Sequence, residues 1–139
     1  AREAGVRTKM AVYTNQKGLD PVGSCVGQRG SRVQAVLSEI GEEKIDIILW
    51  DEKIEKLIEN ALSPAKISHV KISKKKKEAK VKVPEDQLSL AIGKNGQNVR
   101  LASKLTGFNI DVEKEKGEKV KEGKKEKKKD MPNKGKDEK

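Results

Sequence analysis

The sequence predicts an α+β fold built from two tandem copies of one small module. The first observation is a duplication: Val-Gly-Gln-Arg-Gly at 26–30 and Ile-Gly-Lys-Asn-Gly at 92–96 lie 66 residues apart, with matching flanks. The second is the amphipathic helical pattern that follows each glycine tetrapeptide and ends at Gly41 or Gly107. The third is an apolar, β-branched segment after each of these helices, which predicts a strand.

The elements of the first copy follow from local signals. Residues 6–14 alternate as a half-buried strand does. Asp20 is a suitable N-cap and Pro21 a suitable first residue for a short helix that ends at the first loop glycine. A second helix begins near Ser31, and residues 44–50 form a predicted buried strand. The apolar face of the second helix contains Val33, Val36, Leu37 and Ile40.

The second copy has the same order, preceded by one more helix and one more strand. Asp51 is predicted to cap that helix, and its apolar stripe contains Ile54, Leu57, Ile58, Ala61 and Leu62. Residues 67–73 and 79–83 form a predicted hairpin. Asp86 then caps a helix that reaches Ile92, and the loop, a helix and a strand follow. This order is that of the type II (prokaryotic) KH fold, a three-stranded sheet with helices on one face.

Three segments divide the chain. We expect a first KH module at 1–50, without its N-terminal strand, because residues 2–5 resemble the turn after such a strand. A second KH module is expected at 51–113. Residues 114–139 lack apolar periodicity and consist mainly of Lys, Glu, Gly and Asp, so a disordered basic tail is predicted there.

Each glycine tetrapeptide has the features of a phosphate clamp. Two glycines let the backbone approach a phosphate, and the next helix presents N–H groups and the positive end of its dipole. The middle side chains point outward, and the preceding apolar residue lines the floor under the bases. KH modules clamp single-stranded nucleic acid in this way. The predicted RNA-binding residues are Val26, Gly27, Gln28, Arg29, Gly30, Ile92, Gly93, Lys94, Asn95 and Gly96.

Basic side chains follow the loops by one or two helical turns. Arg32, Arg100 and Lys104 are candidates for contacts with neighbouring phosphates, and the alternative for each is a solvated helix face. Lys74 to Lys77 are interpreted as a solvated hairpin tip, and the alternative is a dedicated phosphate site.

Composition favours a polyanionic partner, either nucleic acid or an acidic membrane surface. The chain of 139 residues has a net charge of +10, of which +5 belongs to 114–139 and +5 to the rest. Only 2 % of the residues are aromatic, which argues against an RRM. One cysteine, Cys25, fits a reducing compartment, and its counterpart Ala91 predicts that it is a small packed residue. No apolar run approaches the roughly 18 residues of a membrane span.

Enzyme function is not expected. Residues 18–24 have the glycine spacing of a phosphate loop but lack its lysine. His69 is the only histidine, so a histidine–cysteine metal cluster is not expected either. No cofactor is predicted.

The chain resembles the tandem KH region of the NusA family of bacterial transcription elongation and termination factors. The resemblance covers roughly residues 1 to 112, and its strongest stretches are DPVGSCVGQRGSRVQA at 20–35 and PEDQLSLAIGKNGQNVRLASKLTG at 84–107. It implies binding of nascent single-stranded RNA by a cytoplasmic, monomeric protein associated with RNA polymerase, with effects on pausing, termination and antitermination. It also implies that Arg32 and Asn98 belong to the RNA-binding set.

Two other functions remain open at this point. One is a protein-interaction adaptor whose KH pair docks on RNA polymerase or the ribosome with little direct RNA contact. The other is a ribosome-associated KH protein, because small-subunit ribosomal proteins share this fold.

Overall fold

The computed structural model describes residues 1–115, which form two modules in sequence order. The first module contains β1 (Arg2–Glu3), β2 (Arg7–Val12), α1 (Pro21–Val26), α2 (Ser31–Ile40) and β3 (Lys44–Leu49). The second contains α3 (Ile54–Ala61), β4 (His69–Ser73), β5 (Glu78–Val83), α4 (Leu88–Ile92), α5 (Gln97–Thr106) and β6 (Asn109–Lys114). Short 3-10 turns occupy Gln28–Gly30, Glu85–Gln87 and Lys94–Gly96.

Each module has one mixed three-stranded sheet. The strand orders are β1-β2-β3 and β4-β5-β6, and in both sheets the first pair is antiparallel and the second parallel. The parallel registers are equivalent, because Arg7 pairs with Lys44 and Glu78 pairs with Asn109. The predicted α+β fold of two tandem modules is confirmed.

The ends of three elements differ from the prediction. Arg2–Glu3 is a short strand paired with β2, so the interpretation of both residues as part of a turn was wrong; the turn covers residues 4–6. Asp51 does not cap α3. Its Oδ1 accepts a hydrogen bond from the Lys53 amide (2.8 Å), and this turn places Lys53 at the cap position. Asp86 is not a cap either, because it lies inside the 3-10 turn before α4.

The hydrophobic core lies mainly in the second module. The apolar stripe of α3 packs between the sheet and α5, and four of its five predicted residues are buried. The buried apolar residues are Ile48, Leu57, Ile58, Ala61, Leu62, Ala65, Ala79, Val81, Val83, Ala91, Leu101, Ala102, Phe108 and Ile110.

The first module is much more exposed. No residue of α2 is buried, and Met10 and Val36 retain 44 % and 49 % of their accessible surface. The segment predicted as a buried strand, 44–50, has one buried apolar residue, Ile48. Cys25 is exposed, so its predicted packing was wrong. Within residues 1–115, no helix occupies in this module the place that α3 has in the second.

The first module instead uses one face of its sheet to pack on the second. Ile48 is part of the second module's core, and Ala11 packs against it. Lys9 is fully buried at this interface, where Nζ donates to Asp46 Oδ2 and to the carbonyl oxygen of Ser63, both at 2.8 Å. Burial lowers the pKa of Lys9, and the hydrogen bond to Asp46 opposes that shift. The two modules therefore share one continuous core.

None of the helices within residues 1–115 has the length and apolar character needed to cross a bilayer. The predicted disorder of 114–139 falls outside the described residues from 116 onward. The first two residues of that segment continue the sheet: Lys114 ends β6, and the Glu115 amide donates to the carbonyl oxygen of Val83 at 2.7 Å.

Candidate nucleic-acid interface

The two glycine loops have the same backbone conformation. The first glycine has φ and ψ of 81° and 168° at Gly27, and of 81° and 165° at Gly93. The third loop residue is left-handed in both copies, at 54° and 28° for Arg29 and at 56° and 27° for Asn95. Arginine and asparagine thus adopt one geometry, although a left-handed conformation is uncommon outside glycine.

The first glycine is required by a close contact inside the loop. A Cβ on Gly27 would lie 2.8 Å from the backbone nitrogen of Arg32, and one on Gly93 would lie 2.6 Å from that of Asn98. The loop therefore folds directly over the start of the next helix. This is a different reason from the predicted one, which was room for a phosphate.

The second glycine starts the helix without a side-chain cap. Gly30 and Gly96 are left-handed, and each donates its amide hydrogen to the carbonyl oxygen of the first loop glycine at 3.0 Å. By contrast, the Asp20 side chain caps α1 through the Gly23 amide at 3.0 Å, as predicted. Without such a cap, the first-turn N–H groups of α2 and α5 lack a side-chain acceptor. Groups of this kind bind anions.

The outward-facing positions carry one cation in each loop. Gln28 and Arg29 are exposed in the first loop, as are Lys94 and Asn95 in the second. The apolar residues that precede the loops, Val26 and Ile92, are half-buried. The predicted side-chain directions for these positions therefore agree with the structure, and each loop offers one positive charge beside an uncapped helix.

An outer sheet strand lies beside each short helix. α1 packs against β3, and α4 packs against β6; both strands are at an edge of their sheet. An edge strand leaves a row of backbone N–H and C=O groups unpaired. Such groups are suited to hydrogen bonding with the edges of unstacked bases held by the neighbouring loop.

Asn98 has a structural role, and its assignment to the RNA-binding set stays a prediction. Its side chain is 1 % exposed, and Nδ2 donates to the carbonyl oxygens of Leu62 (3.0 Å), Ala91 (2.9 Å) and Leu90 (3.4 Å). The amide thereby joins the ends of α3 and α4 to the start of α5.

Arg32 occupies the equivalent position in the first module. Its Nη1 donates to the carbonyl oxygen of Ser24 at 2.8 Å, which corresponds to the Asn98 bond to Leu90. The Arg32 side chain is exposed, so it can hold α1 and still meet an anion.

Arg100 connects the second loop to the first module. Nε and Nη2 bind the Glu3 carboxylate at 2.5 and 3.0 Å, and Nη1 donates to the Asn95 carbonyl oxygen at 2.9 Å. These hydrogen bonds from Arg100 lower the pKa of Glu3. Arg100 therefore positions the loop and has a carboxylate partner already. Lys104, one turn further along α5, is exposed.

Sequence reasoning missed the charged residues that organise the first module. Glu43 is buried and accepts two hydrogen bonds from Arg2 at 2.9 Å, one from the Gly5 amide at 3.0 Å, and one from the Thr8 hydroxyl. The bonds from Arg2, Thr8 and Gly5, in that order of effect, lower the pKa of Glu43 to about 2. A glutamate after a helix-ending glycine gave no local sign of this role.

We find no candidate metal site among residues 1–115. No group of three or more His, Cys, Asp or Glu side chains lies close enough there to hold an ion.

Known sequence patterns match both modules. The pattern of the NusA-like first KH domain matches residues 1–50, and that of the NusA-like second KH domain matches residues 54–120.

Three curated relatives are each named transcription termination/antitermination protein NusA. The chain is 53 % identical to the Thermus thermophilus protein over 113 residues, which are 81 % of this chain and 29 % of the relative. It is 53 % identical to the Bacillus subtilis protein over 115 residues, 83 % and 31 % of the two chains. It is 53 % identical to the Mycobacterium tuberculosis protein over 113 residues, 81 % and 33 %. The chain thus spans about a third of the length of these relatives.

A solved structure supports the fold alone. The crystal structure of APE1850 matches 78 % of each chain with a TM-score of 0.55 and 24 % identity. Because the two domain patterns match in order along most of the sequence, the chain belongs to the family of NusA-like tandem KH domains.

Proposed function

We propose that this chain binds single-stranded RNA through its two glycine loops and is not an enzyme. In the cell, it acts in the cytoplasm as the RNA-binding part of a transcription termination and antitermination factor, on nascent RNA beside RNA polymerase. The names of its relatives support this role. The chain works as a monomer, since both clamps lie in one polypeptide.

One observation carries the proposal: two loops with different middle residues have backbone angles that agree within 4°. Each loop combines a left-handed turn, an uncapped helix and one exposed cation. An uncapped helix start beside a positive charge is a binding site for a phosphate. Two such sites in one rigid unit suit an extended strand better than an isolated anion.

A protein-interaction adaptor is the second candidate, and the exposed apolar surface of the first module favours it. Seven large apolar side chains there keep between 37 % and 49 % of their accessible surface: Val6, Met10, Leu19, Val36, Ile40, Leu49 and Trp50. Exposed apolar surface that is large and contiguous often marks a protein contact, and several exposed apolar residues in one small module favour such a surface. In that case RNA contacts would be few.

Strand selectivity tests the proposal. We expect an unpaired RNA oligomer to bind more tightly than the same sequence annealed into a duplex, because the clamp needs unstacked bases. The measurement is fluorescence anisotropy with the two forms of one labelled RNA. Equal affinity for both forms would leave only nonspecific charge attraction and reject the clamp.

Salt dependence separates the two candidates. Binding through phosphates gives a linear fall of log K with log salt, with a slope of about −0.7 per contact for a single strand. An apolar protein interface lacks this steep dependence. RNA binding too weak to titrate, together with salt-insensitive binding to polymerase or ribosome, would favour the adaptor.

A further inference from the structure

The positive charge of the folded part is concentrated in one hairpin. Residues 69–83, which form β4, the turn and β5, contain seven lysines and one acid, Glu78. The other residues of 1–113 contain 13 Lys and Arg against 14 Asp and Glu. Outside the hairpin, therefore, both modules together have almost no net charge. The net positive charge of this part of the protein therefore comes from the hairpin.

The hairpin keeps like charges side by side. Lys71 lies directly opposite Lys80 in the antiparallel register, Lys80 lies opposite Asp111 in the parallel register, and both lysines are exposed. Directly opposed like charges destabilise a sheet. Lys82 differs, because Nζ is 2.6 Å from Glu113 Oε1 on the neighbouring strand. Among residues 1–115, no ion pair within 4.0 Å involves Lys71, Lys80 or the four tip lysines.

The hairpin tip is attached to the far end of the helix that carries the second loop. The Lys77 carbonyl oxygen accepts from the Asn109 amide at 2.8 Å, and Lys77 Nζ lies 5.9 Å from the Phe108 ring centre. Lys77 is also left-handed, with φ of 54°. Gly96 precedes α5 and residues 108–109 follow it. A ten-residue helix separates loop and tip by about 15 Å at 1.5 Å per residue.

We propose that the β4–β5 hairpin is a second RNA contact, which binds the phosphates of nucleotides that flank the segment held by the second loop. This inference rests on the proposed RNA-binding function. Lysine ammonium groups on flexible stems attract phosphates as point charges, without the fixed geometry of arginine. The hairpin has no Phe, Tyr or Trp side chain on which a base could stack, and its one imidazole, His69, pairs with Lys82 at the end away from the tip. It therefore adds affinity and salt dependence, while the loops and edge strands select the sequence.

A charge-matched pair of variants tests the inference in the full chain. The tip variant replaces Lys74, Lys75, Lys76 and Lys77 with Gln. The control removes the same charge at four exposed lysines outside the loops, the edge strands and the hairpin: Lys17, Lys53, Lys56 and Lys66. Each phosphate contact on a single strand contributes about −0.7 to the slope of log K against log salt. We therefore expect the tip variant to reduce the magnitude of this slope by about 2–3. The control should change this slope much less. Both variants should leave the ranking of RNA sequences by affinity unchanged.

A second variant leaves the tip unchanged and so separates a lost RNA contact from a local loss of folding at the tip. Lys71→Gln with Lys80→Gln removes two exposed lysines from the strands, and it should melt within a few degrees of wild type while it reduces the magnitude of the slope by about 1–1.5. RNA length adds a readout: the deficit of the tip variant should grow as the RNA extends beyond the second loop.

Each outcome points to one conclusion. Equal slopes for wild type and both hairpin variants, with sequence preference retained, would overturn the hairpin contact and leave the loop clamp intact. Equal losses in tip and control variants would also overturn it, because net charge alone would explain both. Loss of single-strand selectivity in the wild type would instead reject the proposed function.

Discussion

In the second module, Ala91, Leu101 and Ala102 have no exposed surface, whereas the residues 66 positions earlier, Cys25, Ala35 and Val36, lie at the surface of the first. The difference follows from α3, whose apolar stripe covers the helices and sheet of its own module. The buried residues Lys9 and Ile48 of the first module lie instead on the other face of its sheet, where it contacts the second module.

The loops do not follow this difference in burial. Their angles agree because the determinants are local: two glycines at positive φ and a close contact with the next helix. The comparison teaches that the candidate clamp is built independently of the core beneath it. Stability and RNA binding should therefore respond to different substitutions in the two modules.

The largest expected effect is at the interface that stabilises the first module. Asp46→Ala leaves the buried Lys9 ammonium without its carboxylate, and breaking a buried pair in this way costs about 3–5 kcal/mol of unfolding free energy. The exposed pair Lys56–Glu59, at 3.9 Å, is the control, and Glu59→Ala should cost less than about 1 kcal/mol. Denaturant titration measures the unfolding free energy of both variants. Equal losses would contradict the larger contribution that we assign to the buried pair.

A pair of core substitutions tests the contrast in burial. Leu101→Ala in α5 should destabilise the protein by about 2–5 kcal/mol, because it opens a cavity in the core. Val36→Ala in α2 should change stability by less than about 0.5 kcal/mol, because the side chain is half exposed. Thermal unfolding of the two variants checks this ordering. A large loss from Val36→Ala would mean that the first module is covered in solution.

Acid sensitivity should be a property of the first module in particular. The pKa of Glu43 is about 2 in the folded protein and near 4.5 when unfolded, so its stabilising effect is full above about 4.5. That contribution falls as the pH drops from about 4.5 to about 2. Glu43→Gln should be less stable than wild type at neutral pH and should lose less stability over that range. Parallel pH dependences for the two proteins would contradict the ion-pair account.

Local patterns were sufficient for much of this structure. Gly27, Gly41, Gly93 and Gly107 end helices where the sequence predicts, because a glycine at positive φ acts within one turn of chain. The order of the elements along the chain and the outward direction of Arg29 follow from equally local signals.

The remaining features depend on contacts between distant segments. Asn98 resembles a surface polar residue in the sequence, yet three carbonyl groups from the ends of α3 and α4 surround its amide. Lys9 interrupts an ordinary alternating strand, and only the second module explains its burial. The duplication predicted equal burial for Cys25 and Ala91, which failed because no equivalent of α3 covers Cys25 in residues 1–115.

RNA affinity after acidification of the loops tests the central claim most directly. One variant carries Gln28→Asp and Arg29→Asp, and the other carries Lys94→Asp and Asn95→Asp. Aspartate tolerates the left-handed position, so both should melt within a few degrees of wild type. Each should bind single-stranded RNA at least about tenfold more weakly, since a lost charge-assisted contact is worth about 1.5–3 kcal/mol. The combined variant should abolish binding. Unchanged affinity with both loops acidic and the fold intact would contradict the clamp in both modules.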